Sequence, residues 1–200
     1  MIQSLSIRIS QYLGEKNSSL TKKDILKIQY ALEVIVGDFS KLLIIFLIFS
    51  TLDELKLFFL IYGILITTRS FMGGVHCKTY NSCLIWSTVY FIVIMLYSKL
   101  IPYFNIKFYI VPVIIFFIII LLYAPCPNEK RPSKHSGILK ILSLISLSFW
   151  SILLFKISNI EICNCIFISL LLVIAQVTYI NFKGVVFNAK IYKHFFSHIT

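Results

Sequence analysis

The chain is predicted to be an all-α membrane protein, with six transmembrane helices, a polar loop on the cytoplasmic side and an amino-terminal amphipathic helix. Three observations lead there. Of its 200 residues 58% are hydrophobic and 14% charged, with a mean hydropathy of +0.90, whereas a soluble domain is about 45–50% apolar and about 25% charged. The apolar residues come in blocks of roughly 18–22, long enough at 1.5 Å per residue to cross about 30 Å of hydrocarbon. Those blocks recur from one end of the chain to the other, which favours one polytopic domain over residues 1–200 rather than two.

Taken in order, residues 1–21 lack a continuous apolar core and a small-residue cleavage site, so no signal peptide is expected and the first span should act as the insertion signal. Ile2, Leu5, Ile9, Tyr12 and Leu13 recur at helical spacing, with Arg8, Gln11 and Glu15 on other faces. That pattern suits a helix lying in the membrane interface. Thr21-Lys22-Lys23-Asp24 has the form of a capping box with Asp in place of the usual Glu or Gln, so a helix should start near Lys22.

This helix runs into the first span, about 31–50, which carries Glu33, Asp38 and Lys41. An ionisable group inside a span costs about 2.5–3.5 kcal/mol unless it is paired or faces a protein interior. Asp38 and Lys41, three residues apart, share a helical face. An internal ion pair with a snorkelling lysine is the plain expectation, and a part in orienting the site or gripping substrate is the sharper one.

A short turn, Thr51 to Glu54, leads to the second span, about 55–68, and then to a polar break. The third span covers about 83–101 and the fourth about 106–123, where Pro112 removes a backbone donor and should kink the helix. The basic, proline-rich segment 124–135 cannot be helical throughout. The fifth span is about 138–155 and the sixth about 162–181, followed by a basic tail.

Charge orients the bundle. The amino-terminal segment has five Lys and Arg, the break two, the proline-rich region through Lys140 four and the tail three, so fourteen lie on one side. The alternate turns hold four: Lys56, Lys99, Lys107 and Lys156. By the positive-inside rule both termini, the break and the proline-rich segment are cytoplasmic, and the membrane is crossed an even number of times. The formal charge of +11 does not argue for nucleic acid, because the basic residues are spread through short inter-span segments rather than gathered in one patch. Five cysteines do not make a disulfide framework, and Cys163 and Cys165 read as small apolar residues at a helix end.

The break, Arg69 to Cys83, reads RSFMGGVHCKTYNSC. A thiol becomes a good nucleophile as a thiolate, which a neighbouring histidine or a helix amino terminus favours. Cys83 is placed where the third span should begin, and His76 lies seven residues upstream. On one straight helix the two would be about 10 Å apart along the axis, so contact needs the segment to fold back. Gly73-Gly74 and Asn81-Ser82 supply a permissive backbone for that. Arg69 could hold a substrate carboxylate, pair with Glu33 or Asp38, or mark the membrane boundary. His76, Cys77, Cys83 and Cys126 or His135 offer metal-type ligands, but their spacing matches none of the common zinc patterns, and no metal or other cofactor is expected. Besides a cysteine enzyme, the residues alone allow a zinc-dependent membrane hydrolase, or a non-enzymatic permease or scaffold whose break is a re-entrant loop.

The segment RSFMGGVHCKTYNSC resembles the signature of the accessory gene regulator B (AgrB) family, membrane cysteine endopeptidases of bacterial quorum sensing. In that signature an Arg-x-x-x-Gly-Gly-x-His segment is followed seven residues after the histidine by the catalytic cysteine. The resemblance extends to Gln29-Tyr30-Ala31-Leu32-Glu33 with Lys41, to Ala124-Pro125 followed by Lys130-Arg131-Pro132, and to the size and six-span layout. It implies that His76 is the general base and Cys83 the nucleophile, and puts Arg69 and Gly74 on positions associated with activity. The sequence departs from the family at Ala31, where glycine is common, and at Cys77, where other small residues usually follow the histidine.

The implied substrate is a propeptide of the AgrD type, cut between its signal segment and its acidic carboxy-terminal tail and then closed into a thiolactone or lactone ring. The implied surroundings are a lipid bilayer. A homodimer suits so small a bundle, although no Gly-x-x-x-Gly interface lies within a span.

Overall fold

A computed structural model describes residues 2–17, 19–74, 79–102, 106–126 and 136–196, apart from the side chains of Ile2, Ile106 and residues 183–196. All regular structure among them is helical. The helices are α1 (Ile2–Lys16), α2 (Lys22–Thr51), α3 (Leu55–Met72), α4 (Tyr80–Leu100), α5 (Ile106–Tyr123), α6 (Ser136–Lys156) and α7 (Ile160–Phe196). Four are long and apolar enough to cross a membrane: α3, α4, α6 and the Ile160–Phe182 part of α7. The apolar stretch Lys107–Tyr123 of α5 is shorter.

Local chemistry sets several boundaries. The Thr21 capping box forms: the Asp24 amide donates to Thr21 Oγ1 at 3.3 Å, and the Thr21 amide donates to Asp24 Oδ2 at 3.2 Å. The Thr21 hydroxyl also donates to that carboxylate at 2.6 Å, and this bond is the leading reason the Asp24 carboxyl lies below its usual range. α3 continues past Thr68 to Met72 and stops at Gly73, whose φ of +85° is left-handed and whose amide donates to the Arg69 carbonyl at 3.0 Å. That is a glycine helix stop with its 5→1 bond. α5 runs through Pro112 without ending. α7 extends well past residue 181, to Phe196.

The chain forms two compact units, one of Met1–Leu55 with Lys78–Thr88 and the other of Lys56–Cys77 with Val89–Thr200. In the first, α1 packs on α2. Ser6 and Ser10 are fully buried, and Gly14 continues their four-residue row. A Cβ on Gly14 would stand 2.5 Å from Ile25 Cδ1, so the two helices approach closely there. Leu5, Tyr12 and Leu13, on another face of α1, are exposed. So is Trp86, near the start of α4.

In the second unit α5, α6 and α7 pack against one another. Their core includes Phe116, Ile120, Leu147, Trp150, Ile166 and Leu170. The Trp150 ring lies beside Gly63, and its indole N–H donates to Thr67 Oγ1 at 2.8 Å, tying α6 to α3. Asn164 is a second polar tie. Its amide donates to the Ile101 carbonyl at 2.7 Å and its carbonyl accepts from the Tyr109 hydroxyl at 3.0 Å, so one α7 side chain holds the end of α4 and the start of α5. In hydrocarbon such bonds hold helices together where apolar contact alone gives little specificity.

Candidate functional site

Cys83 lies in the first turn of α4, which begins at Tyr80 rather than at Cys83 itself. Thr79 is the reason for the shift. Its hydroxyl accepts from the Ser82 amide at 3.3 Å and its carbonyl from the Cys83 amide at 3.1 Å, so it caps the helix. The Cys83 N–H is therefore already bonded. The thiol still lies within one turn of the positive helix end, and side chains there lean back toward that end. Gly73, Gly74 and Thr79 are all non-helical, so no continuous helix runs from Gly74 to Cys83.

The face of α2 opposite this turn carries Gly37, Ser40 and Lys41. The Tyr80 ring lies beside Gly37, 3.7 Å from where a Cβ would stand, and the Tyr80 hydroxyl is 2.7 Å from Ser40 Oγ. Lys41 Nζ lies 3.4 Å from Cys83 Sγ and 2.5 Å from Asp38 Oδ1. The Asp38–Lys41 pair expected from the sequence is present. The Lys41 side chain is 15% exposed against 62% for Asp38, and its ammonium also reaches the sulfur. Glu33, one turn earlier, accepts from the Gln29 side-chain amide at 3.0 Å.

Lys41, Asp38, Glu33 and Cys83 belong to the first unit, and Arg69, Gly73 and Gly74 to the second. Within the second, Arg69 sits in the last turn of α3 and folds over Gly74, where any Cβ would run into its guanidinium. Gly73 meets the segment after α5: the Cys126 amide donates to the Met72 carbonyl at 2.9 Å, and Cys126 Cβ is 3.2 Å from where a Gly73 Cβ would stand. Burial pushes the Cys126 thiol up, against the opposing effect of an Asn181 amide 3.6 Å from its sulfur. His76, Cys77 and residues 127–135, including His135, lie outside the described residues.

Among the described cysteines Cys126, Cys163 and Cys165 are buried and Cys83 alone is partly exposed. The Lys41–Cys83 contact, the Ser40–Tyr80 bond and the Thr79 cap were not read from the sequence. Its one usable signal was that Lys41 is an ionisable group inside a span, which is costly unless it is paired or faces a protein interior.

Long apolar helices, buried polar ties and a half-buried thiol beside a lysine define an all-helical integral membrane protein with a polar site near one end of α4. Residues 6–178 match the accessory gene regulator B family. A protein of Clostridium beijerinckii described as AgrB-like is 54% identical over 200 residues, covering all of both chains. No solved structure matches. The chain belongs to the accessory gene regulator B family, and with it to the peptide-processing side of agr quorum sensing.

Proposed function

We propose that this chain is a membrane cysteine endopeptidase that removes the carboxy-terminal tail of an AgrD-like propeptide through an acyl-enzyme on Cys83, and that it supports closure of the remaining peptide into a thiolactone or lactone. The observation that carries this reading is the setting of Cys83: a partly exposed thiol in the first turn of a helix, 3.4 Å from a lysine ammonium. His76 is the base that takes the thiol proton. Sulfur attacks the carbonyl at the junction of signal and tail, and the tail leaves as the amine, protonated by His76. A nucleophile within the retained signal segment then attacks the acyl carbon and frees Cys83. Held in place, such an intramolecular step can reach an effective molarity of about 10⁵ M or more. Exchanging an amide for a thioester is uphill, so cyclisation needs the released tail to be removed.

The reading places the whole chain in a bacterial membrane as one peptidase domain with six spans, counting the apolar part of α2 and the shorter α5 with the four longer helices. Both termini are cytoplasmic, α1 lies along the inner surface, and a homodimer is compatible with the bundle. Arg69, Gly73, Gly74, Glu33, Asp38 and Lys41 support the site.

Co-expression with a propeptide encoded beside this gene tests the proposal. Wild type should release the tail, and Cys83→Ala and His76→Ala should not. Equal cleavage by wild type and Cys83→Ala would overturn it.

A further inference from the structure

Two contacts of the first unit join α2 to the turn that carries one sulfur. Ser40 bonds Tyr80 in the first turn of α4, that turn presents Cys83, and Lys41 reaches it. An ammonium has three donors and no acceptor, so in the 3.4 Å contact the sulfur accepts, and a thiolate accepts far better than a thiol. The exposure pattern agrees. A lysine that only marked the boundary would keep its head in water, whereas here the Lys41 side chain is the buried partner, Asp38 the exposed one, and the ammonium touches the sulfur. The charged and titratable groups described around the sulfur are Lys41, Asp38 behind it, and Tyr80 on the same helix with its hydroxyl against Ser40.

We propose that Lys41 is a catalytic residue whose ammonium is the counter-ion of the Cys83 thiolate, holding the nucleophile charged before substrate arrives. Asp38 is a positioning residue that holds the ammonium in place. In the ionisation the S–H bond breaks, its electron pair stays on sulfur, the proton passes to His76 and Lys41 stays protonated throughout. The carbon–sulfur bond then forms from that electron pair, and the proton on His76 goes to the departing amine. The catalytic consequence rests on the endopeptidase reading; the ion pair does not.

The test needs no substrate. The full chain in nanodiscs is treated with iodoacetamide at neutral pH and Cys83 modification is followed by tryptic mapping, where cleavage after Lys78 separates Cys77 from Cys83. Removing an opposite charge in contact changes the ionised fraction about 10- to 1000-fold, and the greater nucleophilicity of the less stabilised thiolate offsets roughly half of that on a logarithmic scale. Lys41→Gln should therefore slow alkylation about 3- to 30-fold, and Lys41→Arg should keep most of the wild-type rate. The same factor should separate His76→Ala from His76→Ala combined with Lys41→Gln. In wild type, thiolate ultraviolet absorbance should disappear in step with Cys83 modification, a measurement that depends on no variant folding.

Unchanged alkylation in a folded Lys41→Gln chain, or no thiolate absorbance lost in wild type, would overturn the ion pair. A Lys41-dependent thiolate in a wild-type chain that leaves propeptides uncleaved would sink the endopeptidase reading and keep the ion pair.

Discussion

Adjacent glycines at the end of α3 do different work. Gly73 stops the helix at a φ of +85°, where an L side chain costs about 1–2 kcal/mol, and its missing Cβ also clears Cys126. Gly74 clears the Arg69 guanidinium. Gly73→Ala should therefore lower the melting temperature in detergent, while Gly74→Ala should melt close to wild type and lose propeptide cleavage, as Arg69→Lys should. A Gly74→Ala chain of full activity would detach the Arg69 pose from function. From the sequence both glycines read as a hinge. Their division of labour depends on where the Arg69 side chain lies, which chain order does not encode. Asn164 was equally silent, one polar residue in an apolar run, yet Asn164→Leu removes bonds to Ile101 and Tyr109 and should cost about 1–2 kcal/mol in reversible unfolding.

At the scale of elements, two helix starts compare directly. The box at Thr21 and Asp24 was legible because its two partners stand three apart before an apolar run. The cap at Thr79 was not, because Asn81-Ser82 looked like a bend rather than the first turn of α4. Losing a threonine cap costs about 1 kcal/mol, so Thr79→Ala should speed hydrogen exchange at the Ser82 and Cys83 amides and leave the end of α4 unchanged. The Thr21 box adds a pH dependence of known sign. Asp24 titrates below its ordinary range in the folded chain, so its stabilising effect is complete above the ordinary carboxylate range. It is lost as pH falls through the lowered value. Amides at the start of α2 should exchange faster in that acid window, and Asp24→Asn should abolish the change. The expected ends of α3 and α7 fell short because hydropathy marks where a chain is apolar, whereas a helix can run on through polar residues, α3 through Arg69 to the stop at Gly73 and α7 through Lys183 to Phe196.

For the molecule as a whole, composition alone was enough to read helices and membrane, since 58% hydrophobic residues in long blocks leave few other solutions. The signature from Arg69 to Cys83 was enough to read the family, which the match over residues 6–178 establishes. What composition could not supply is which helix reaches Cys83, because a contact between residues 41 and 83 is set by packing and not by hydropathy. The six-span layout is open to direct measurement. Reporters fused after Asp53, Pro102 or Asn159 should be active outside the cell, and reporters fused after residue 128 or at the carboxy terminus only inside. Any inversion of that pattern would overturn the assignment.

The chain has two tryptophans. Trp150 is 7% exposed and bonded to Thr67, while Trp86 is 66% exposed on an apolar helix. The protein thus carries two intrinsic lamps, one shaded by its own core and the other turned outward from an apolar helix. Brominated acyl chains should quench Trp86 and spare Trp150, so a Trp86→Phe chain would report unfolding and a Trp150→Phe chain would report the bilayer.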